Sequence, residues 1–401
     1  MPTVHTVPTD YATLAAALAH ADVKDGDTIQ IHDTHTVSTA DVTVSKQVTI
    51  KTLGSGQATI SKKIIVDASN VTLTNLKLNA ATQMIAVNTG KTIKSLTISY
   101  CTFDCNGQTA NISNNLVYVP HTNYTSGTVF SGVFTFDNNT ILQSRSSVSI
   151  QLSSTDSGTN CEELYVRDNK FIDHTGVMVF RGGYYKHAQG SYLATAGDAS
   201  SETKNYTFGP NGNLKHSDKY IDKAVVSGNK VNVDGAAGTA DAAAAAKAAG
   251  GASNGTAKAV TGNALKPWGL FEVNQCKDVE FTTNVIKNMA SAYKSAACFQ
   301  TWAQCEWTLN MKNNIFQDCT GMGGAKVYTR YYGWGYRYDG SSFGYMPNGK
   351  VEKNDFINCD LFALKTDCKY KAGTDVAASA LHDNFTLAQF QAANPSSKSG
   401  S

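Results

Sequence analysis

Three aspartates and one histidine are the residues in this sequence whose types and spacing could do chemistry. Asp137 and Asp168 each stand just before an asparagine, in the segments VFTFDNNTI and LYVRDNKF, and Asp173 and His174 follow the second segment. Paired carboxylates about 5 to 5.5 Å apart support retaining glycoside hydrolysis, and pairs about 6.5 to 9.5 Å apart support inverting hydrolysis. Asp137, Asp168 and Asp173 are therefore candidate catalytic residues of a polysaccharide hydrolase. The alternative is that Asp137 and Asp168 accept backbone N–H groups in turns, as aspartates commonly do.

The segments around these aspartates belong to a repeat that would position them. Six segments end a short β-type run with Asn-x-(aliphatic or Phe), at spacings of 30, 60, 55, 30 and 40 residues, and their asparagines are Asn139, Asn169, Asn229, Asn284, Asn314 and Asn354. Such a run alternates polar and apolar residues, turns, and starts a new strand, which is typical of a solenoid. We expect the asparagines to stack as an amide ladder and to supply left-handed backbone at each bend. The residues expected to stack beneath them as the core are Ile141, Phe171, Val231, Ile286, Phe316 and Phe356.

Composition and charge restrict the classes of partner. The chain has 33 Gly and only 7 Pro, which suits a β-rich fold, and a formal net charge of +2 from 34 basic and 32 acidic residues. This balance gives no support for binding nucleic acid or an anionic membrane. No stretch is apolar enough to span a bilayer, and MPTVHTVPTD is unlike a signal peptide, so we expect synthesis in a cytosol. The nine cysteines indicate reduced, buried thiols, and neither a metal site nor another cofactor is expected.

The two ends of the chain differ from its centre. Residues 1–24 predict an N-terminal cap, with a strand at Thr3–Val7 and an amphipathic helix at Asp10–Ala21 whose N-cap is Thr9 or Asp10. Residues 25–370 predict the coil, and residues 371–401 a second cap helix and a tail. Three segments break the repeat and are expected to leave the coil as loops: 181–220, 235–266 and 326–347.

The order of these segments resembles a known family. A helix of the type ATLAAALAHA, a DGDTIQI turn and strand, and short strands ending in VTIKTLG look like the opening of right-handed parallel β-helix proteins of the pectin lyase-like superfamily. The runs VTLTNLKL and SLTISYCTF and the six asparagine segments continue the resemblance over most of residues 25–370. The resemblance implies an all-β, right-handed parallel β-helix.

The same family supplies a test for catalysis. Polygalacturonase-like members carry an Asp-Asp pair and NTD, GHG and RIK segments, and pectate lyase-like members carry paired arginines and clustered calcium-binding aspartates. This chain matches neither pattern. The comparison favours a protein that is not an enzyme of a recognised kind.

An aromatic segment offers a binding function instead. Eight aromatic residues lie between Tyr328 and Tyr345, and the candidate contact residues are Arg330, Tyr331, Tyr332, Trp334, Tyr336, Arg337 and Tyr338. Tyr and Trp present flat apolar faces that suit a sugar ring or a protein partner. The competing interpretation is a Tyr/Gly loop that packs against its own coil.

A β-helix with end caps, large loops and no export signal resembles in style the structural and attachment proteins of tailed bacteriophages, which often form homotrimers. We therefore expect a non-enzymatic virion protein, either a capsid-surface decoration or a tail appendage, in contact with other virion proteins and with itself. The alternative is a tailspike-like depolymerase, or a glycan-binding attachment protein, that acts on bacterial surface polysaccharide.

Overall fold

The computed structural model describes the coil in separate stretches of the chain. They are residues 1–80, 83–88, 92–105, 116–119, 130–142, 144, 148–152, 161–172, 174, 177–181, 221–233, 269–274, 276–287, 297–302, 308–317, 328–329 and 348–357. The predicted C-terminal cap and nearly all of the three predicted inserts lie outside these residues.

Within the described residues the chain forms one helix, α1 (Leu14–Ala19), and thirty short strands. The first ten strands are β1 (Val4–Val7), β2 (Thr28–His32), β3 (Thr36–Val37), β4 (Val42–Val44), β5 (Thr49–Leu53), β6 (Ala58–Ile60), β7 (Ile64–Val66), β8 (Val71–Thr74), β9 (Leu76–Leu78) and β10 (Ile85–Val87). The next ten are β11 (Ile93–Ser99), β12 (Thr102–Asp104), β13 (Val117–Val119), β14 (Phe130–Asp137), β15 (Thr140–Leu142), β16 (Val148–Leu152), β17 (Glu163–Arg167), β18 (Lys170–Ile172), β19 (Val177–Arg181) and β20 (Ile221–Ser227). The last ten are β21 (Lys230–Val231), β22 (Gly269–Asn274), β23 (Cys276–Thr282), β24 (Val285–Lys287), β25 (Ala297–Trp302), β26 (Thr308–Lys312), β27 (Ile315–Gln317), β28 (Tyr328–Thr329), β29 (Asn348–Glu352) and β30 (Asp355–Ile357).

These strands form three parallel sheets. Sheet A has eleven strands in the order β1-β2-β5-β8-β11-β14-β17-β20-β23-β26-β29, sheet B has ten from β3 to β30, and sheet C has nine from β4 to β28. From β2 onward the chain visits sheets A, B and C in turn, so three consecutive strands make one coil. Parallel strands joined in this way favour right-handed connections. The architecture is the right-handed parallel β-helix that the sequence predicts.

The core consists of in-register columns of apolar side chains. In sheet A one column runs through neighbouring strands and consists of Ile29, Ile50, Leu73, Ile98, Phe136, Val166, Val226, Phe281 and Met311. In sheet B the matching column includes the predicted residues Ile141, Phe171, Val231, Ile286 and Phe316, all of them buried. Burying each such side chain stabilises the fold by about 1.5 to 3 kcal/mol. Phe356 continues the register on β30, but its side chain is outside the described set.

The N-terminal helix closes the first coil, but it is shorter than the sequence predicts. Leu14, Ala17 and Leu18 are buried where α1 packs against β1, β2 and β4. The N-cap is Thr13, whose hydroxyl accepts the Ala16 N–H at 3.0 Å, and the prediction of Thr9 or Asp10 was wrong. The Asp10 carboxylate instead accepts the Thr6 N–H at 2.7 Å and so stabilises the turn that leads to the helix.

A buried hydrogen-bonded pair holds the start of the chain against this cap. His5 Nε2 lies 3.0 Å from Asp27 Oδ2, and both residues are buried. Asp27 also accepts the N–H of Thr3 at 2.7 Å and that of Lys24 at 2.8 Å. These backbone donors, Thr3 first, lower the pKa of Asp27 to about 2, against the opposing effect of desolvation.

Candidate functional site

The first catalytic candidate, Asp137, is held by an arginine from the next coil. Asp137 ends β14 and lies in register with Arg167 on β17. The carboxylate accepts the Arg167 backbone N–H at 3.1 Å and Nε at 3.1 to 3.2 Å, and a further bond from Nη2 completes a bidentate pair. The hydrogen bond to Asp137 raises the pKa of Arg167. Such a pair fixes the carboxylate and uses its lone pairs, which suits positioning better than proton transfer.

The arginine is fixed on its other side by an aromatic ring. The Arg167 guanidinium carbon lies 4.6 Å from the centre of the Tyr165 ring, and the Tyr165 hydroxyl donates to Glu163 Oε2 at 2.7 Å. The hydrogen bond to Glu163 raises the pKa of Tyr165. Because successive outward residues of one strand share a face, these three side chains form one ordered cluster on the outside of sheet A.

The remaining acid/base candidates do not form a catalytic pair among the described residues. Asp168 is exposed at a turn with a φ of 55°. A Cβ at position 228 would lie 2.1 Å from Asp168 Oδ1, so this turn packs against a glycine of the next coil. His174 is buried. Its backbone N–H donates to Asn232 Oδ1 at 2.9 Å, and its backbone carbonyl accepts a hydrogen bond from Asn232 Nδ2 at 3.1 Å. Asp173 lies outside the described residues.

The six repeat asparagines form one continuous column of amide hydrogen bonds. Their Nδ2 groups donate to the Oδ1 of the next asparagine at 3.2, 2.9, 2.9, 3.0 and 2.7 Å. Each Oδ1 from Asn169 onward also accepts the backbone N–H of the preceding asparagine, and each Nδ2 donates to a carbonyl of the preceding coil. At the N-terminal end, Asn139 Oδ1 accepts the Cys101 N–H at 2.9 Å. All six asparagines are buried.

The left-handed residue of each turn is not the ladder asparagine. Positive φ values occur one position earlier, at Asn138, Asp168, Gly228, Thr283, Asn313 and Lys353, with φ between 55° and 66°. The expectation that one asparagine serves both purposes was wrong. The five left-handed residues that have side chains are exposed, and the asparagine that follows each left-handed residue is buried, where its amide forms the ladder.

A third feature, on the outside of sheet C, could not be recognised in the sequence. One outward row runs in register through Thr43, Ile65, Ala86, Tyr118, Gln151, Val179 and Glu272. Thr43 is exposed, whereas Gln151 is 9% exposed, Val179 7% and Glu272 2%. Burial also raises the pKa of Tyr118. The alternation of polar and apolar residues predicts that these positions face outward. Whether an outward residue is buried depends on tertiary packing, and the local sequence around Glu272, LFEVN, does not indicate it.

The other predicted site residues are only partly described. Arg330, Tyr331, Tyr332, Trp334, Tyr336, Arg337 and Tyr338 lie outside the described residues. Among the described cysteines, Cys101, Cys105, Cys161 and Cys276 are buried and form no disulfide. Desolvation raises the pKa of Cys101 and of Cys105 to about 12, and it also raises the pKa of Cys161. In the described stretches, no three His, Cys, Asp or Glu side chains are grouped so as to hold a metal ion, and no helix has the length and apolar character needed to cross a membrane.

Comparison with known proteins gives a single result. No family model, curated protein or solved structure matches this chain. The described sheets show a parallel β-helix, and the pectin lyase-like superfamily stays a prediction from the sequence.

Proposed function

We propose that this chain is a non-enzymatic structural protein of a virion, of the kind that decorates capsids or forms tail appendages on bacteriophages. It would be made in the cytoplasm of the host cell and would contact other virion proteins and further copies of itself, as a homotrimer. Its mechanism is a rigid coil that presents several contact surfaces at once, so that weak contacts add up to strong attachment.

The observation that carries this proposal is that both carboxylate oxygens of Asp137 accept hydrogen bonds from Arg167. A general acid or a nucleophile needs an oxygen that faces the substrate. Both oxygens of Asp137 instead accept hydrogen bonds from Arg167, whose ring partner Tyr165 is itself held by Glu163. The best-placed carboxylate of the repeat thus stabilises the junction between two coils.

The closed outer face of sheet C supports the same proposal. A glycan chain bound along a β-helix needs an open strip of side chains over several coils. The row from Ala86 to Glu272 has its residues buried or half-buried, with Gln151, Val179 and Glu272 almost inaccessible. Over these coils, sheet C offers packed surface rather than an open groove.

Rigidity is the property that the described residues supply most fully. Ten strand spacings in sheet A, each about 4.8 Å, give a coil about 48 Å long. The apolar columns run along this length, and the amide ladder adds buried hydrogen bonds between the coils from Asn139 to Asn354. Rigid presentation lowers the entropy lost when several contacts form together.

The test is an assay for cleavage of bacterial surface polysaccharides. Purified full-length protein is incubated with a panel of capsular polysaccharides and lipopolysaccharides, and new reducing ends are measured. We expect none above the level of a heat-denatured sample. Release of sugar ends that is lost in Asp137→Asn or Asp168→Asn, but kept in the surface control Asp22→Asn, would replace this proposal with a depolymerase.

The virion assignment is tested separately. An antibody against the purified protein is applied to virus particles from cultures that carry the gene, and the particles are viewed by electron microscopy. Label on the capsid surface or tail is expected, and label confined to soluble host protein would rule out the assignment.

A further inference from the structure

The first strand of sheet A is an edge at which another strand could be added. β1 stands first in the order of sheet A and, among the described residues, pairs only with β2. An edge strand presents backbone N–H and C=O groups to which another chain can add a strand. Val4 on β1 is 55% exposed and adds apolar surface beside this edge. The N-terminal end of the coil is therefore a place where two copies could join.

The register of β1 shows which of its backbone groups face away from β2. The two strands are parallel, and the Thr28 N–H donates to the Thr3 carbonyl at 2.9 Å. Alternate residues of a parallel strand bond to the same neighbour, so His5 and Val7 also face β2. The even-numbered positions of residues 2–6 face the open side. An added strand would need the N–H and C=O groups of these positions.

Few of these groups are available for pairing. Pro2 has no N–H, and neither has Pro8, which follows the strand directly. The Thr6 N–H donates to Asp10 Oδ2 at 2.7 Å, and the Thr6 carbonyl accepts the Asp10 N–H at 2.7 Å. Val4 is thus the one even-numbered residue of 2–8 that offers both an N–H and a carbonyl outside this turn.

The turn that occupies Thr6 is itself held in place. The Tyr11 N–H donates to the Thr6 carbonyl at 3.3 Å. The centre of the Tyr11 ring lies 5.7 Å from that of His5 and 5.0 Å from that of His20, and the ring packs against the core. Asp10 is exposed, so its charge also faces any strand that approaches the edge. Charged side chains at an edge disfavour strand addition.

The other two sheets are blunted at this end by different means. Sheet B begins with β3, which has two residues, and sheet C begins with β4, against which α1 packs. Very short edge strands and edges covered by a helix both resist the addition of a strand. β1 has four residues, so the protection of its edge depends on the prolines and on Asp10.

We propose that Pro2, Pro8 and the hydrogen bonds between Asp10 and Thr6 form a guard that prevents β1 from pairing with β1 of a second copy. Two identical edge strands can pair antiparallel about a two-fold axis, the commonest symmetry of protein dimers. If Val4 faces Val4 across that axis, Pro2 faces Thr6, and the guard leaves the backbone groups of this second pair without partners. Such unsatisfied groups oppose association. The inference goes beyond the proposed function, because it concerns a contact that the coil avoids.

The first test places a reporter at the centre of the avoided pair. The Cα atoms of the two Val4 residues would be about 5.5 Å apart, which a disulfide can span. Val4→Cys is combined with Pro2→Thr and Asp10→Ala, which remove the guard, and the full-length protein is oxidised at a series of concentrations. Mass spectrometry of the digested protein identifies disulfides that join position 4 of two copies. We expect them to form at least about tenfold faster than in Val4→Cys with the guard intact.

Two further variants serve as controls. Asp10→Asn keeps an oxygen that accepts the Thr6 N–H, so Val4→Cys/Asp10→Asn should link as slowly as Val4→Cys alone. Asp22→Ala removes an exposed carboxylate of the same cap and should also leave the slow rate unchanged. Circular dichroism spectra and melting curves establish that the variants fold. Fast linking in every variant, or no gain in the folded variant without the guard, overturns the proposal.

The second test uses the wild-type protein and so does not depend on the folding of a variant. Hydrogen exchange is measured at the amides of Val4 and Thr6, which both lie on the open side of β1. The Thr6 amide should exchange at least about tenfold more slowly, because Asp10 accepts its hydrogen bond. Equal rates would show that Asp10 does not occupy this amide in solution and would overturn the guard. Neither test bears on polysaccharide cleavage or on the labelling of particles, so failure of this inference and failure of the proposed function are distinguishable.

Discussion

At the scale of single residues, the four inner ladder asparagines use every hydrogen-bonding group of their side chains, as Asn229 shows. Asn229 Nδ2 donates to the Val166 carbonyl at 2.8 Å and to Asn284 Oδ1 at 2.9 Å. Its Oδ1 accepts the Asn169 N–H at 3.2 Å and Nδ2 at 2.9 Å. A primary amide offers two donors and two acceptor sites, so none is left over. Fully satisfied buried networks of this kind specify one arrangement of the chain.

Replacing Asn229 by Ala should lower the free energy of unfolding by about 2 to 4 kcal/mol, because the Val166 carbonyl and the Asn169 N–H lose their buried side-chain partner. Urea denaturation followed by circular dichroism measures the change. The matched control is Asn310→Ala on the half-exposed outer face of sheet A, which should change stability by less than about 0.5 kcal/mol. Equal losses in the two variants would show that the ladder contributes nothing specific.

The sequence predicted the ladder and its core neighbours because one pattern recurs six times with an invariant amide. It could not assign the left-handed turn residue. Asn, Asp, Gly, Thr and Lys all occupy that position, and only burial of the following amide distinguishes the two adjacent residues of the turn. Similarly, the sequence alone allows Asp137 to be a catalytic acid, because only the strand register shows that Arg167 lies against it.

At the scale of elements, the N-terminal cap depends on one buried carboxylate. Asp27 holds Thr3 and Lys24 through their backbone N–H groups and contacts His5. Its pKa is about 2 in the folded protein against an ordinary 3.8. A depressed pKa stabilises the folded state above the ordinary pKa, and the contribution is lost as the pH falls towards the folded value.

The variant Asp27→Asn should therefore melt at a lower temperature than wild type above about pH 5, and the difference should shrink between about pH 4 and pH 2 as the wild-type carboxylate is protonated. Thermal melts at a series of pH values measure it. Asp22→Asn, at an exposed carboxylate of the same cap, serves as the control and should show no such convergence. A difference that stays constant down to pH 2 would contradict the assignment.

Strands were more predictable than the helix at this scale. Alternation predicts Ile29 and Ile31 or Val42 and Val44 as inward pairs, and all four are buried. The first residue of the helix is harder to predict, because the alanines among residues 12–19 favour a helix whichever of these residues it starts from. The Thr13 cap and the packing of Leu14 then decide where α1 begins.

At the scale of the whole molecule, each coil contacts mainly the coils on either side of it. Stability in such a solenoid is close to a sum of coil terms and neighbour terms. Damage to one coil should therefore remain local.

Hydrogen exchange tests this in the Asn229→Ala variant. Peptides that cover β20 and β23 should lose protection, whereas peptides that cover β2 and β5 should keep the wild-type rate, because no ladder contact reaches those strands. Mass spectrometry of digested, exchanged protein reads both regions in one experiment. A uniform rise in exchange over the whole coil would indicate a single cooperative unit instead.

Function is the property least predictable at this scale. Repetition specifies a coil, but the buried outer row on sheet C does not follow from it, because burial there depends on which outward residues become neighbours only after the coil has formed.

The amide ladder also gives the rod an electrical direction. The ladder N–H of each asparagine from Asn139 to Asn314 points towards the C-terminal coils, and the side-chain carbonyls point towards the N-terminal ones. The second side-chain N–H of each asparagine donates back to a backbone carbonyl of the preceding coil. Aligned amides polarise one another, and their dipoles add along the axis instead of cancelling. The two ends of the column therefore differ in potential, with a partial negative charge at the end near Cys101 and a partial positive charge at the other. A rod of this kind distinguishes one of its ends from the other before any loop or cap is considered.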